Sequence, residues 1–391
     1  MAAEVISLGC RLNLSESEDL RALLAAERDL VVINSCAVTS EAVRQTRQAI
    51  RKARQARPDA RLLVTGCAAE VERAALGAMP EVDGLIANHA KLDPRAWNVP
   101  AAAARGPSLA HTRAFVAVQN GCDHSCTFCV IPQGRGPSRS LPVAVVRREV
   151  EQHLAAGARE VVLTGVDLTS WGHDLPGEPR LGALVAAILA AFPQLTRLRL
   201  SSLDGIEIDP VLEELIGGEA RVMPHLHLSL QHGDGLILKR MKRRHTRADA
   251  VALVARLKAR RPDLAVGADL IAGFPTEDDA AHGANLSIAA ELGIVHGHVF
   301  PYSQRPGTPA ARMPQVPHQA IKARAAELRA AIAAQRDHWL RRLVGQPQEV
   351  LAERDGTGHA PNFARVRLPA GTKAGTIVRV TPTRIVEGLL E

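Results

Sequence analysis

The chain has 391 residues, a formal net charge of +7, 46 % hydrophobic residues and only 3 % aromatic ones. That is enough length and apolar content for two or three domains with their own cores, which excludes a disordered or fibrous chain. No apolar run approaches the roughly 18 residues of a membrane span, and residues 1–9 lack the basic start of a secretory signal, so the sequence reads as cytoplasmic with no membrane partner. The positive balance admits a polyanionic partner without requiring one, because arginine and alanine are enriched along the whole chain and compositional bias accounts for the charge equally well.

The first hundred residues alternate short β-rich runs with helical ones. Strands are predicted at 4–9, 30–35 and 61–66, and helices at 15–27 and 40–57, with Ser15 and Glu18 as a capping box. Such alternation predicts parallel βαβ units. Each of the three strands runs into a cysteine: Cys10, Cys36 and Cys67. Ligands bind at the carboxyl ends of strands in open parallel sheets, so three thiols distant in sequence are predicted to meet on one rim; the alternative is three small buried hydrophobes. A linker follows at 93–112, marked by Pro94, Pro100, Gly106, Pro107 and four consecutive alanines.

A second β/α series begins at residue 113. Strands are predicted at 113–119, 160–164, 197–201, 225–231, 264–272 and 294–301, and helices at 142–156, 181–192, 210–216, 246–261 and 277–292. Six repeats in fewer residues than the roughly 250 of a closed eight-fold barrel predict an open (β/α)6 barrel. Polar residues gather after these strands, where barrels place active sites: Gly165 and Asp167, Ser202 and Asp204, Gln231 to Asp234, Gly273 to Thr276, and Tyr302 with Ser303. Ordinary turn chemistry favours the same residue types. A long helix at 318–343 leads into strands at 349–352, 363–368, 376–380 and 383–386, which reads as a small all-β domain of OB-like form.

The strongest motif is Cys122, Cys126 and Cys129 in C-x3-C-x2-C spacing, directly after the first barrel strand. Three thiolates this close can hold three irons of a 4Fe–4S cluster and leave the fourth open to a small molecule. A closed zinc site needs a fourth ligand, for which His124, on the same tight loop, is the nearby candidate.

At these residues the chain resembles the radical S-adenosylmethionine enzymes, whose signature also carries an aromatic where Phe128 stands. The upstream Cys10, Cys36 and Cys67 make it resemble the methylthiotransferases among them, over nearly its whole length. The stretches 36–39, 64–67, 134–139, 163–169, 241–245, 267–277 and 299–303 resemble the branch acting on threonylcarbamoyladenosine beside the tRNA anticodon. The resemblance implies an α/β chain in three parts: a flavodoxin-like parallel sheet with a second cluster (1–100), a partial (β/α)6 radical barrel (108–340) and a TRAM-like RNA-binding β-domain (341–391). It implies two 4Fe–4S clusters, one on each cysteine triad, with S-adenosylmethionine cleaved at Cys122/Cys126/Cys129 to give a 5′-deoxyadenosyl radical, and sulfur presented at Cys10/Cys36/Cys67. Its implied partners are tRNA, a flavodoxin- or ferredoxin-type electron donor and a sulfur source.

By the same resemblance Gly165 and Asp167 meet the methionine amino group, Ser202, Gln231 and Asp269 the ribose or carboxylate, and Gly273 and Phe274 the adenine. His232 departs from the family, where a serine is expected. Arg135 and Arg139 are read as a carboxylate grip for the substrate at the barrel mouth. Lys242, Arg243 and Arg244, and the helix face of Arg44, Arg47, Arg51 and Arg54, are candidate RNA contacts or solvated charge. Phe363 alone supplies the terminal domain with an aromatic, so backbone contact rather than base stacking is expected there. The rivals are isopentenyladenosine in tRNA or a ribosomal-protein aspartate as substrate, another radical methylase or sulfur inserter, and a non-catalytic iron–sulfur carrier or tRNA-binding protein.

Overall fold

A computed structural model describes residues 2–100 and 112–391. The alanine run and Gly106–Pro107 of the predicted linker lie outside the described residues. The chain divides into two compact units. The first joins the N-terminal strands and helices to Asn120–Arg139 and Ser303–Ala311; the second holds Ser140–Tyr302 and Arg312–Glu391 with the strand that precedes Asn120.

In the first unit, β1 (Glu4–Ser7), β2 (Leu30–Ser35), β3 (Arg61–Gly66) and β4 (Gly84–Leu85) form a parallel sheet in the order β1-β2-β3-β4. This order is sequential, whereas a flavodoxin-like sheet would set the first strand between the second and third. The strand β2 reads Leu-Val-Val-Ile-Asn-Ser and is buried throughout, because both faces are covered. Val31, Ile33, Leu62 and Val64 pack on Val43 and Ile50 of α2 (Ser40–Ala56). Val5, Val32 and Leu63 pack on Leu20 and Leu24, beside α1 (Arg11–Leu23), and on Trp97. Two expectations change here. The helix α1 starts directly after Cys10, so Ser15 is buried within it rather than capping it. Residues 94–97, assigned to the linker, form a 3-10 turn whose Trp97 donates its indole N–H to Lys91 O at 2.8 Å and seals that core. The short helices of the unit include α3 (Cys67–Val71) and α4 (Ile131–Arg135), and a further single turn at Arg73–Gly77. Ser303 accepts from Ser40 N at 2.9 Å, capping α2 from a distant segment.

In the second unit, β5 (Arg113–Ala117), β6 (Glu160–Thr164) and β7 (Arg197–Leu200) form one parallel three-stranded sheet, and β8 (His225–Gln231), β9 (Ala265–Ala272) and β10 (Ile294–Pro301) form another. Isolated parallel bridges, Leu198 to Val222 and Leu203 to Leu228, link the two halves into the predicted open barrel. The outer layer is α5 (Val143–Ala155), α6 (Leu181–Ala191), α7 (Pro210–Gly218), α8 (Arg247–Arg260) and α9 (Asp279–Glu291), all near their predicted positions. Their apolar faces share one core with the strands, running from Val116 through Leu163, Leu184 and Leu198 to Leu253, Val266 and Ile288. The helix α10 (His318–Leu343) then leads to a mixed six-stranded sheet in the order β14-β11-β12-β13-β16-β15: β11 (Gln348–Ala352), β12 (Thr357–His359), β13 (Arg365–Arg367), β14 (Ile377–Val380), β15 (Ile385–Val386) and β16 (Leu389–Leu390).

This terminal sheet closes the floor of the barrel. Glu160, at the start of β6, is fully buried and holds Arg199 at 2.8 Å. Arg197 donates to the carbonyls of Glu349 (2.7 Å) and His359 (3.2 Å), and Arg199 to that of Pro361 (3.1 Å). Phe363 stacks on His359 and His225, with ring centroids 4.4 and 4.9 Å apart, and the Arg199 guanidinium lies 4.8 Å over its ring. The one aromatic that could have served as a base-stacking platform is therefore spent on the barrel floor.

Candidate cluster sites and barrel interior

Both cysteine triads fall in the first unit. Cys10 ends the turn after β1, Cys36 follows β2, and Cys67 opens α3 after β3. Glycines let these turns converge. Gly9 has φ +94°, and a Cβ there would stand 2.6 Å from the Cys36 Cβ. Gly66 has φ +89°, and a Cβ there would stand 2.6 Å from Ser35 N. Cys10 is exposed while Cys36 and Cys67 are buried, and none of the six cysteines is in a disulfide. Burial pushes the Cys36 thiol up to about 11, a rise to which the neighbouring Cys67 and Cys10 add. Burial likewise raises Cys67, while the cations of Arg135 and Lys91 work the other way. Three thiols that repel one another when ionised are suited to a cationic metal group.

Below them lies a polar layer that nothing in the local sequence announces. Asn13 donates to Leu8 O (2.7 Å) and Ser35 O (2.9 Å), binding two of the three cysteine turns. Asn88 donates to Gly134 O at 2.5 Å, tying α4 to the same place. Glu16 is buried and accepts from Arg135 (2.8 and 3.1 Å) and from Lys91 (2.5 Å). Burial alone would raise the Glu16 carboxyl, but Lys91 and Arg135 outweigh it and hold the group below its ordinary value. Arg135 also donates to Asn120 (2.8 Å) and to Asn13. This corrects the reading of Arg135 as a substrate grip at the barrel mouth: its side chain is 2 % exposed and fully engaged. Arg139 is exposed.

Cys122, Cys126 and Cys129 lie on a loop between β5 and α4. His124 N donates to the Cys122 sulfur and Ile131 N to the Cys129 sulfur, each at 3.4 Å. Backbone N–H groups aimed at sulfur stabilise thiolates, so this loop too fits an iron–sulfur group. Ala310 N donates to Thr127 O at 2.9 Å, so the segment after the last barrel strand props the loop.

The barrel residues belong to the second unit. Gly165 packs closely on Gln119: a Cβ would stand 2.9 Å from Gln119 Oε1 and 3.2 Å from its backbone O, and that Oε1 accepts from Asp167 N at 2.9 Å. Ser202 lies 3.1 Å from Ser229 Oγ and 3.4 Å from Asp269 Oδ2. Asp269 Oδ1 is held by His227 (3.1 Å) and His298 (3.0 Å). Burial opposes the charge of Asp269, yet the two histidines keep its carboxyl far below the usual carboxylate range. His227 and His298 were missed, although His225/His227 and His296/His298 alternate on strands and alternation places each pair on one face. Gln231 ends β8 at φ +69°. The side of Gly273 that lacks a Cβ faces Ile321 of α10, and Phe274 is fully buried with its ring against Tyr302, centroids 5.5 Å apart. His232 is fully buried; it bonds Glu277 at 3.0 Å and accepts from Asp234 N at 3.0 Å.

The basic clusters are largely paired. Arg243 is turned inward to Asp204 (3.0 Å) and Ser229 O (2.8 Å), whereas Lys242 and Arg244 are exposed, Arg244 pairing with Asp204 (3.1 Å) and Glu207 (2.7 Å). Arg44, Arg47, Arg51 and Arg54 pair with Glu41, Glu72, Glu81 and Asp83 respectively. Surface charge of this kind is mostly neutralised locally.

A profile described as "Radical SAM superfamily" matches residues 116–283, and one described as "Uncharacterized protein family UPF0004" matches residues 2–87. The chain is 42 % identical, over 99 % of its length and 96 % of the relative's, to "Threonylcarbamoyladenosine tRNA methylthiotransferase MtaB" of Rickettsia prowazekii. It belongs to the radical S-adenosylmethionine methylthiotransferases. A "tRNA-2-methylthio-N(6)-dimethylallyladenosine synthase" of Cereibacter sphaeroides is 32 % identical over 96 % of this chain and 94 % of the relative. Among solved structures, the radical S-adenosylmethionine methyltransferase TsrM of Kitasatospora setae shares the fold at a TM-score of 0.53 and 17 % identity, covering 77 % of this chain and 67 % of that one. Membership implies S-adenosylmethionine and a 4Fe–4S cluster as cofactors, to which the Cys122–Cys129 loop is suited. Among the described residues no helix is long and apolar enough to cross a membrane.

Proposed function

We propose that this methylthiotransferase converts N6-threonylcarbamoyladenosine, beside the tRNA anticodon, to its 2-methylthio derivative. The observation that carries the substrate is the 42 % identity over nearly the whole chain to a relative named for that nucleoside, against 32 % to one named for dimethylallyladenosine. In this reading Cys122, Cys126 and Cys129 hold one 4Fe–4S cluster, and Cys10, Cys36 and Cys67 hold a second. Its partners are tRNA, an electron donor of flavodoxin or ferredoxin type and a sulfur source, and it works in the cytoplasm. The terminal sheet is the TRAM-like part.

When bound, S-adenosylmethionine and the two clusters supply one-electron chemistry at an unactivated C–H bond and an iron that can carry sulfur. The protein's own residues bind and orient. Asp269, kept ionised by His227 and His298, offers Oδ2 beside Ser202 as an acceptor suited to ribose hydroxyls. The missing side chain of Gly165 keeps Gln119 in contact with the backbone of Asp167. The buried side chains of the first unit keep water from the flank of Cys36 and Cys67.

The test is to reconstitute the protein anaerobically and offer tRNA anticodon stems carrying either modification. About eight irons per chain are expected, falling by half when either triad is changed to alanine, together with methylthiolation of the threonylcarbamoyl stem by nucleoside mass spectrometry. Product from the isopentenylated stem alone would replace this substrate with the other.

A further inference from the structure

Arg135, Lys91 and Glu16 form a buried charge cluster that is unequal: two cations and one carboxylate. The side chains are 2, 3 and 4 % exposed, so water does little to screen the excess positive charge. A buried cation without a counter-charge is costly. Among the described residues the hydrogen-bond acceptors beside the two cations, besides Glu16, are Asn120, Asn13 and Asn34. Burial lowers Lys91 while Glu16 works the other way. A further carboxylate, Asp19, acts on Lys91 without forming an ion pair with it, its own carboxyl pushed up to about 6 by burial and by Glu16 and Glu18. What does lie alongside is the triad. Arg135 and Lys91 both act on the Cys67 thiol, Arg135 also on Cys36, and Cys67 and Cys10 act in return on Arg135. Gly134, the residue before Arg135, approaches Cys67 so closely that a Cβ on it would stand 3.1 Å from the Cys67 Cβ.

The charges match. Three thiolates on an oxidised 4Fe–4S core, which carries two positive charges, leave one net negative charge, and reduction by one electron leaves two. We infer that the excess positive charge of the Arg135–Glu16–Lys91 cluster is the counter-charge of an iron–sulfur cluster on Cys10, Cys36 and Cys67, and that it sets that cluster's reduction potential. The inference rests on the reading that this triad holds a cluster. Arg135 and Lys91 act here as positioning and tuning residues, since a neighbouring cation favours the more negative, reduced state and raises the potential.

The sign of the charge gives the test. Arg135→Gln and Lys91→Met each remove a cation, and Glu16→Gln removes the anion. Each holoprotein is titrated anaerobically by EPR. The signal of the N-terminal site is the one that survives when Cys122, Cys126 and Cys129 are changed to alanine. The midpoint is expected to become more negative in Arg135→Gln and Lys91→Met and less negative in Glu16→Gln, with the other cluster unmoved. A merely structural role would broaden or abolish the signal without opposite signs. If Arg135→Gln does not take up iron, Lys91→Met and Glu16→Gln decide the matter between them. Midpoints equal to wild type in variants that load both clusters, or shifts of the same sign in Lys91→Met and Glu16→Gln, would overturn the inference. Wild-type protein holding only about four irons would instead defeat the reading that the triad binds a cluster.

Discussion

His232 stands where the family resemblance led us to expect a serine, and its contacts explain the change without any role toward a cofactor. Glu277 Oε2 accepts from Gly273 N (2.9 Å), Phe274 N (3.3 Å) and His232 (3.0 Å), while Arg324 holds the other oxygen at 3.3 Å. One buried carboxylate thus fixes the turn after β9, and His232 fills a slot in its coordination. Replacing His232 with alanine removes one partner of a buried charge and should cost about 1–3 kcal/mol, measured as a fall in Tm. Glu277→Ala strands two backbone donors and should cost more. Neither pairing was legible in the sequence, because His232 and Glu277 are 45 positions apart and Arg135 is 119 from Glu16. The six cysteines were legible because metal chemistry restricts both their type and their spacing. A buried arginine looks like a surface arginine until its partner is known.

At the scale of elements, hydrophobic period and strand ends were enough to place the barrel strands and the helices around them. What the period could not show is which end of a strand is covered. Glu160, Arg197 and Arg199 read as polar residues opening their strands, yet they are buried by the terminal sheet. Deleting the chain after Leu343 would leave the two arginines without their carbonyl partners, and would bare Ala265, Val295, Trp339 and Leu340, which pack on Val350, Val366 and Leu390. Truncated protein should therefore melt well below the full chain or aggregate, in addition to any loss of tRNA binding; a truncation that keeps its Tm would show that the floor contributes little. Phe363→Ala is the milder version. Core Phe→Ala changes cost about 3–5 kcal/mol, and Phe363 is only partly buried, so roughly 2 kcal/mol is expected in a denaturant titration.

At the scale of the whole molecule, that same floor carries a pH dependence of its own. Burial, with Arg336 nearby, pulls His296 down to about 3, and burial also lowers His359. Both remain neutral in the folded protein and bind a proton readily when unfolded. Stability is therefore full above about pH 6.5 and falls as pH drops below it, by up to about 1.4 kcal/mol per pH unit for each histidine, until the folded pKa is reached. Thermal scans between pH 7.5 and 5.5 should show Tm falling with acid, and His296→Gln should flatten the slope.

The floor also imposes an order on biosynthesis. The strands that carry Glu160, Arg197 and Arg199 leave the ribosome long before residues 349–363, whose carbonyls and ring complete their burial. Until those last residues emerge, the nascent barrel has charged groups at its base that only water can satisfy. The base of the barrel therefore reaches its final packing only once residues 349–363 have been made, and a chain stalled before them is expected to stay open at the base and exposed to proteolysis.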